Sequence, residues 1–285
     1  MRPAESINFA FFFFLSLAPW VLSLSRERCF RGAALGVTGI ALTATGQLAT
    51  HFIAPPTANV IRDWLPAALI VLAYRQAGLS AARTNVGVQA GLLRFDEALL
   101  QSLGRLPKRA NHYLSIYLEF AYLFCYPMVP LGVSVLYLLG MRSYADHFWT
   151  VVLPPTYICY ATLTFLQLMP PWMAKPDERH SVRKNPLRTF NFWIVNHLSI
   201  RTDTFPSAHV AASFATAVAL FAVAPRTGIA FFCLAVSIAI ASVVQRYHYA
   251  VDALLGVTVV VVTCLLQTPM VAVWNFLHRW FPCAH

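Results

Sequence analysis

Two short clusters hold the residue types that could handle a phosphate ester. In Gln245-Arg246-Tyr247-His248-Tyr249-Ala-Val-Asp252 a histidine stands four residues before an aspartate. If the segment from His248 onward is helical, positions i and i+4 share a face. The Asp252 carboxylate can then accept a hydrogen bond from one imidazole nitrogen and leave the other free to react. Arg201-Thr-Asp203-Thr-Phe-Pro206-Ser207-Ala-His209 lies where a polar loop turns into an apolar run. Proline near a helix start gives up an N–H that would be unsatisfied anyway, and the exposed N–H groups beside Ser207 favour an anion, phosphate especially. With both clusters on one membrane face, one histidine can attack phosphorus while the other protonates the departing oxygen. Arg246 and the helix N-terminus can neutralise the charge of the pentacoordinate transition state. The scheme requires no metal and no cofactor. Taken singly, each cluster also reads as structure: a capped helix with an interfacial histidine, and a His–Asp pair that locks two helices.

The elements that must carry these clusters are membrane helices. The chain has 285 residues, 58% of them hydrophobic and only 11% charged, with a mean hydropathy of +0.60. So few charges cannot cover a soluble surface, and an aromatic fraction of 14% excludes a disordered polymer. The net charge of +10 points, in a membrane protein, to lipid head groups or a phosphorylated substrate rather than to nucleic acid. The six cysteines are scattered without a Cys-x-x-Cys pair, so neither a zinc site nor a disulfide framework is indicated. The apolar stretch Phe9 to Leu24 follows a single basic residue, Arg2, and lacks a small-x-small cleavage site, which reads as a retained anchor.

A spanning helix needs about 20 apolar residues. Eight windows qualify: Ile7 to Leu24, Ala33 to Ile53, Trp64 to Ala77, Tyr113 to Leu139, His147 to Met169, Pro206 to Ala224, Gly228 to Val244 and Tyr249 to Gln267. The third is short enough to lie at the interface instead. Met270 to Phe281, with Trp274, His278, Arg279 and Trp280, suits an interfacial helix end. The expected fold is an all-α polytopic bundle: N-terminal spans and an interfacial segment over 1–112, a six-helix catalytic core over 113–268, and a tail over 269–285. Two spans separate the polar stretches Arg75 to His112 and Pro170 to Thr204, so both open on one side. That face, which also holds His209 and His248, collects sixteen of the 21 Lys and Arg residues. Basic loops are retained in the cytoplasm, or alternatively the cations gather to hold phosphate.

Two acids lie inside apolar runs. Asp252 begins a span, where an ionised carboxylate costs about 2.5 to 3.5 kcal/mol on insertion scales and less near an interface. Glu119, among Tyr117, Tyr122 and Tyr126, either lines a cavity that meets an alcohol acceptor or pairs with a basic residue. Phe95-Asp96-Glu97 reads as a short interfacial helix without chemistry.

Phe205-Pro206-Ser207-Ala208-His209 resembles the Pro-Ser-x-His motif of the type 2 phosphatidic acid phosphatase superfamily. Arg246-Tyr-His248-Tyr-Ala-Val-Asp252 resembles its His-x-x-x-Asp motif in the inositolphosphotransferase-like branch, which includes the enzymes that make inositolphosphorylceramide. The resemblance spans roughly Tyr113 to Gln267. It implies a membrane enzyme that cleaves or transfers a lipid phosphate ester. His248 would be the nucleophile that becomes phosphohistidine, Asp252 its orienter, His209 the general acid, and Ser207 part of the phosphate site. The family's first motif, Lys followed seven residues later by Arg-Pro, is absent. Pro170-Pro171-Trp172-Met-Ala-Lys175 is similar to a variant of it, which makes Lys175, with Arg179, the candidate phosphate ligands. The arginine usual six residues before the third motif's histidine is Ser242 here, and Arg246 stands in for that cation. The implied partners are membrane lipids, a lipid phosphate substrate and an inositol-like alcohol acceptor, and the implied active site is extracytoplasmic. The alternative from another class is a transporter or lipid-binding scaffold with a structural His/Asp/Arg network.

Overall fold

Helix starts follow local sequence rules. Proline opens α1 (Pro3–Val21), α3 (Pro55–Leu79), α8 (Pro171–Ala174), α9 (Pro186–Leu198) and α11 (Pro225–Val244), each at a position whose N–H has no helical partner. Ser25 caps α2 (Arg26–Phe52), and Asn185 caps α9 by accepting the Arg188 N–H at 2.8 Å. The other helices are α4 (Val86–Ser102), α5 (His112–Leu123), α6 (Met128–Leu138), α7 (Ala145–Thr162), α10 (Ala208–Val223) and α12 (Ala250–Trp280). This computed structural model describes residues 1–80, 84–102, 112–175, 185–200, 202 and 204–280, with side chains as far as residue 267 except at residue 100. Among the described residues the architecture is all-α, with no strand.

Each of the eight expected spans overlaps a helix or helix pair, but among the described residues only four to five have the length and hydropathy of a membrane crossing. The α1, α2 and α11 helices and the Ala250–Gln267 part of α12 are long and apolar enough to cross a membrane, which makes this a multi-pass membrane protein. The α5–α6 pair is a fifth candidate, bent by 72°. The sequence pattern of Tyr113 to Leu139 suggests one straight span. Instead the backbone turns at 124–127, because Pro127 and Pro130 both lack an N–H to continue the ladder. The α3 helix, expected to be short, runs 25 residues and carries Arg62, Asp63 and Arg75. The α12 helix continues through Trp280, so the C-terminal segment is a helix end, as its sequence suggests.

The α10 helix is the central post. Nearly every residue from Ala208 to Leu220 is buried, and it packs against α6, α7, α11 and α12. The N-terminal helices join this core through α1 and α3. Phe11 stacks on Tyr157 of α7 at 4.0 Å between ring centroids, and the Tyr157 hydroxyl donates to Asn8 Oδ1 at 2.5 Å. Small residues on α2 (Gly32, Gly36, Gly39, Gly46) face inward, which allows the close approach of α1 and α3 typical of membrane helices.

At the bundle end opposite the two histidines, Asp63 collects partners from three other helices. Arg2 Nη1 donates to it at 2.5 Å, the Tyr137 hydroxyl donates at 2.8 Å, and the Trp149 indole donates to its carbonyl at 2.7 Å. Beside it Arg62 pairs with Glu5 at 2.6 Å. Each buried charge therefore meets a partner, as the interior requires.

Candidate active site

His248 sits in the turn between α11 and α12. The end of α11 is a Schellman motif: the Arg246 N–H donates to the Val243 carbonyl at 3.1 Å and the Tyr247 N–H to the Ser242 carbonyl at 2.8 Å. The left-handed position of that motif, usually glycine, is Arg246, with φ 64°. The α12 helix starts only at Ala250, so His248 precedes the helix and Asp252 lies in its first turn. The expected pairing forms all the same. His248 Nδ1 lies 3.3 Å from Asp252 Oδ2, and the same oxygen accepts the Tyr249 N–H at 3.2 Å. A carboxylate reaching back to the N–H of the capping residue is half of a capping box. Asp252 closes the helix start and orients the imidazole with one oxygen.

His209 stands in the first turn of α10. Ser207 caps that helix, accepting the Val210 N–H at 3.4 Å, while the Ser207 N–H donates to the Asp252 carbonyl at 3.1 Å. The Ala208 N–H donates to Thr204 Oγ1 at 3.0 Å. The N–H groups of Ser207, Ala208 and Val210 are thus satisfied inside the protein, and Ser207 itself is fully buried. They hold α10 against α12. Gly256 makes that approach feasible, because a Cβ there would lie 2.7 Å from the Ser207 carbonyl. The result is that the His209 and His248 rings meet edge to face, 5.8 Å between centroids and 76° between planes.

Both imidazoles line one cavity of about 650 Å³. Its walls come from α3, the α5–α6 break, α7, α9 and α10, and they are mostly apolar side chains such as Ile70, Val129 and Ile194. Tyr122 lies against His209, 6.3 Å between ring centroids, and Thr204 and Arg75 of α3 are further polar side chains of the lining. The Tyr126 ring meets His209 at 5.5 Å and 77°. The bend at 124–127 is what turns these tyrosines into the cavity, and hydropathy carries no signal of it. A mostly apolar pocket with a few convergent polar groups suits an amphiphile.

The cations expected at the phosphate lie elsewhere. Arg246, 2% exposed, pairs with Asp96 of α4, which is fully buried. Asp96 also accepts the Ala250 N–H at 2.8 Å. Lys175 pairs with Glu97 of the same helix, and Arg179 lies outside the described residues. Neither Arg246 nor Lys175 lines the cavity. Their carboxylate partners belong to the Phe95-Asp96-Glu97 segment, which sequence reasoning left without a role because pairs so far apart in the chain have no local period. Gln89 completes the clamp: its side chain exchanges hydrogen bonds with the backbone of Met169 at 2.9 and 3.1 Å and also bonds the Tyr249 hydroxyl.

Glu119 is fully buried and does not line the cavity. It is the centre of an ionic cluster, so of its two readings the ion pair is the one found. Arg188 Nη1 donates to Oε1 at 2.8 Å, and Asn191 and the Tyr247 hydroxyl donate to Oε2 at 2.7 and 2.8 Å. Burial, and then the Glu119 charge, hold the Tyr247 phenol well above the ordinary tyrosine range, so it remains a donor. Tyr247 in turn stacks on Tyr122 at 3.8 Å, which joins this cluster to the cavity wall beside His209. Among the described residues no group of three or more His, Cys, Asp or Glu could hold a metal ion.

Residues 90–266 match the PAP2 superfamily. No curated protein and no solved structure matches the chain.

Proposed function

The chain belongs to the PAP2 superfamily, and on that premise we propose that it cleaves or transfers the phosphate ester of a lipid through a covalent phosphohistidine on His248. Membership makes it a phosphatase-type enzyme of lipid phosphates; the residue roles that follow are our reading. The observation that carries it is the pair of histidines on one largely apolar cavity, with His248 Nδ1 turned to Asp252.

The chemistry follows from that arrangement. With its Nδ1 proton held by the Asp252 carboxylate, His248 presents Nε2 as a nucleophile. Attack forms the Nε2–P bond and breaks the P–O bond to the lipid, and protonated His209 gives its proton to the departing oxygen. Neutral His209 then takes a proton from water or an alcohol. That oxygen attacks phosphorus, the N–P bond breaks, and His248 is regenerated. Asp252 stabilises the imidazolium character that develops at His248, as the carboxylate of a nucleophile–base–orienter set does. The test is acid-sensitive, alkali-stable labelling of the full chain by a ³²P-labelled lipid phosphate. Label on His248, lost in His248→Ala, is expected; turnover without any such label sinks the mechanism.

An inositol-like alcohol as acceptor is the finer reading, supported by the likeness of the His-Tyr-Ala-Val-Asp segment to the inositolphosphotransferase-like branch. Chromatography of products with and without the alcohol separates the two outcomes, because hydrolysis yields free phosphate only. We further propose that the site faces the extracytoplasmic side, as the likeness to the lipid phosphate phosphatases implies, against the cytoplasmic placement that retention of basic loops would give. Labelling of cysteines introduced at 185–200 in intact cells tests this: protection from an impermeant reagent would reverse the orientation.

A further inference from the structure

The cavity that holds His209 and His248 has a wall supplied by the N-terminal part of the chain. Ala67, Ile70, Val71, Tyr74 and Arg75 all line it. Their offsets of three, four, seven and eight residues trace one stripe of α3. The opposite stripe, Leu69, Ala73, Gln76 and Ala77, is buried; Gln76 donates to the Gly32 carbonyl at 2.9 Å. So α3 divides its surface between helix packing and the cavity, and its cavity stripe lies before residues 90–266, the segment that matches the family.

The stripe ends on a charge. Phosphoryl transfer needs cations around the transferring group, yet Arg246, Lys175 and Arg188 each face a carboxylate, Asp96, Glu97 and Glu119. Among the described residues Arg75 is the Lys or Arg that lines the cavity. It is exposed, one turn before the end of α3, and makes no hydrogen bond or ion pair with a described residue. A guanidinium can hold two oxygens of a phosphate in parallel, which an ammonium cannot.

We propose that Arg75 is a substrate ligand: it holds the anionic head of an amphiphile whose apolar chain lies along Ile70 and Val71. This rests on the reading of the cavity as the lipid phosphate site and deepens it. It makes α3 a determinant of specificity that the family segment itself does not contain. Its chemistry selects an anionic amphiphile over the neutral lipid left when phosphate departs, which would favour release of that product.

The test uses the full chain, purified in detergent, as Arg75→Gln and Arg75→Lys. Phosphatidic acid is the amphiphilic substrate and glycerol phosphate the soluble one. We expect Arg75→Gln to raise KM for phosphatidic acid about tenfold or more with a smaller change in kcat, and Arg75→Lys to recover part of the loss. Binding measured in a His248→Ala background separates this inference from the catalytic one. There Arg75→Gln should weaken phosphatidic acid about tenfold and leave diacylglycerol unchanged. A glycerol phosphate KM that rises equally would assign Arg75 to the phosphate alone and overturn the role of the α3 apolar stripe. Unchanged KM and binding for phosphatidic acid overturn the proposal, leaving Arg75 as a side chain that reaches the membrane interface. Arg75-dependent binding without turnover in the unsubstituted chain would instead sink the phosphotransfer reading and keep this one. If Arg75→Gln does not fold, Val71→Trp decides: it should depress turnover of long-chain phosphatidic acid far more than of a short-chain one, and an equal effect on both counts against the α3 wall.

Discussion

Asp96 Oδ1 accepts the backbone N–H of Ala250 at 2.8 Å, although the two residues are 154 positions apart in the chain. With its other oxygen Asp96 pairs with Arg246. One buried carboxylate of α4 therefore grips the turn that presents His248 from both sides, two residues before it and two after.

Asp96→Ala would remove from buried Arg246 the carboxylate it pairs with, and truncating one partner of a buried ion pair typically costs about 3–5 kcal/mol. We expect a large fall in melting temperature in detergent and loss of most activity. Asp96→Asn, which still offers an oxygen to Ala250, should fold better yet show a lower kcat with little change in KM. Identical melting and kinetics for Asp96→Asn and the unsubstituted chain would rule out this positioning role.

His248→Ala should yield no labelled intermediate and no turnover. His209→Ala should slow turnover by roughly 10²–10⁴-fold, the usual worth of a general acid–base group, while the protein elutes and melts as before. Measured phosphate release that persists in both variants would refute the two-histidine mechanism.

Asp252→Asn keeps the size of the side chain but loses the charge that favours the Nδ1–H tautomer of His248. A kcat loss on the order of 10³–10⁴ is expected by comparison with orienting aspartates in catalytic triads, with KM nearly unchanged. A variant that mainly raises KM would make Asp252 a binding group instead.

Glu119→Gln tests the ion-pair reading. Removing the charge leaves Arg188 uncompensated in the interior, so the variant should unfold at lower temperature by an amount reflecting about 3–5 kcal/mol. The double substitution Glu119→Leu with Arg188→Met should recover much of that stability. Dependence of acceptor KM on Glu119, with stability unaltered, would restore the cavity role.

The two histidine clusters were legible because the geometry within each is local. The four-residue spacing of His248 and Asp252 survives even though the helix begins two residues after the histidine, since the first turn brings the carboxylate back to it. The positions of four spans, and of a fifth that proves bent, were legible for the same reason: apolar length is a property of contiguous residues. Long-range pairing was not. Nothing near Arg246 in sequence points to Asp96, nor anything near Lys175 to Glu97, and so these cations looked like phosphate ligands, whereas each pairs with a carboxylate of α4. Arg75 was counted only among the cations of its face, because the stripe it ends is visible only once Ala67, Ile70 and Val71 are seen to share one cavity.

Left-handed backbone at position 246 would suit glycine, whereas an ordinary side chain there costs roughly 1–2 kcal/mol. The turn before His248 is for that reason a cocked spring, and a latch that helps keep it set belongs to a distant stretch of the polypeptide. Were Asp96 to let go, the loop's own conformational preference would draw it toward a relaxed shape and carry the imidazole away from its partner. The placement of His248 is in this sense borrowed from α4, an element remote from it in the chain.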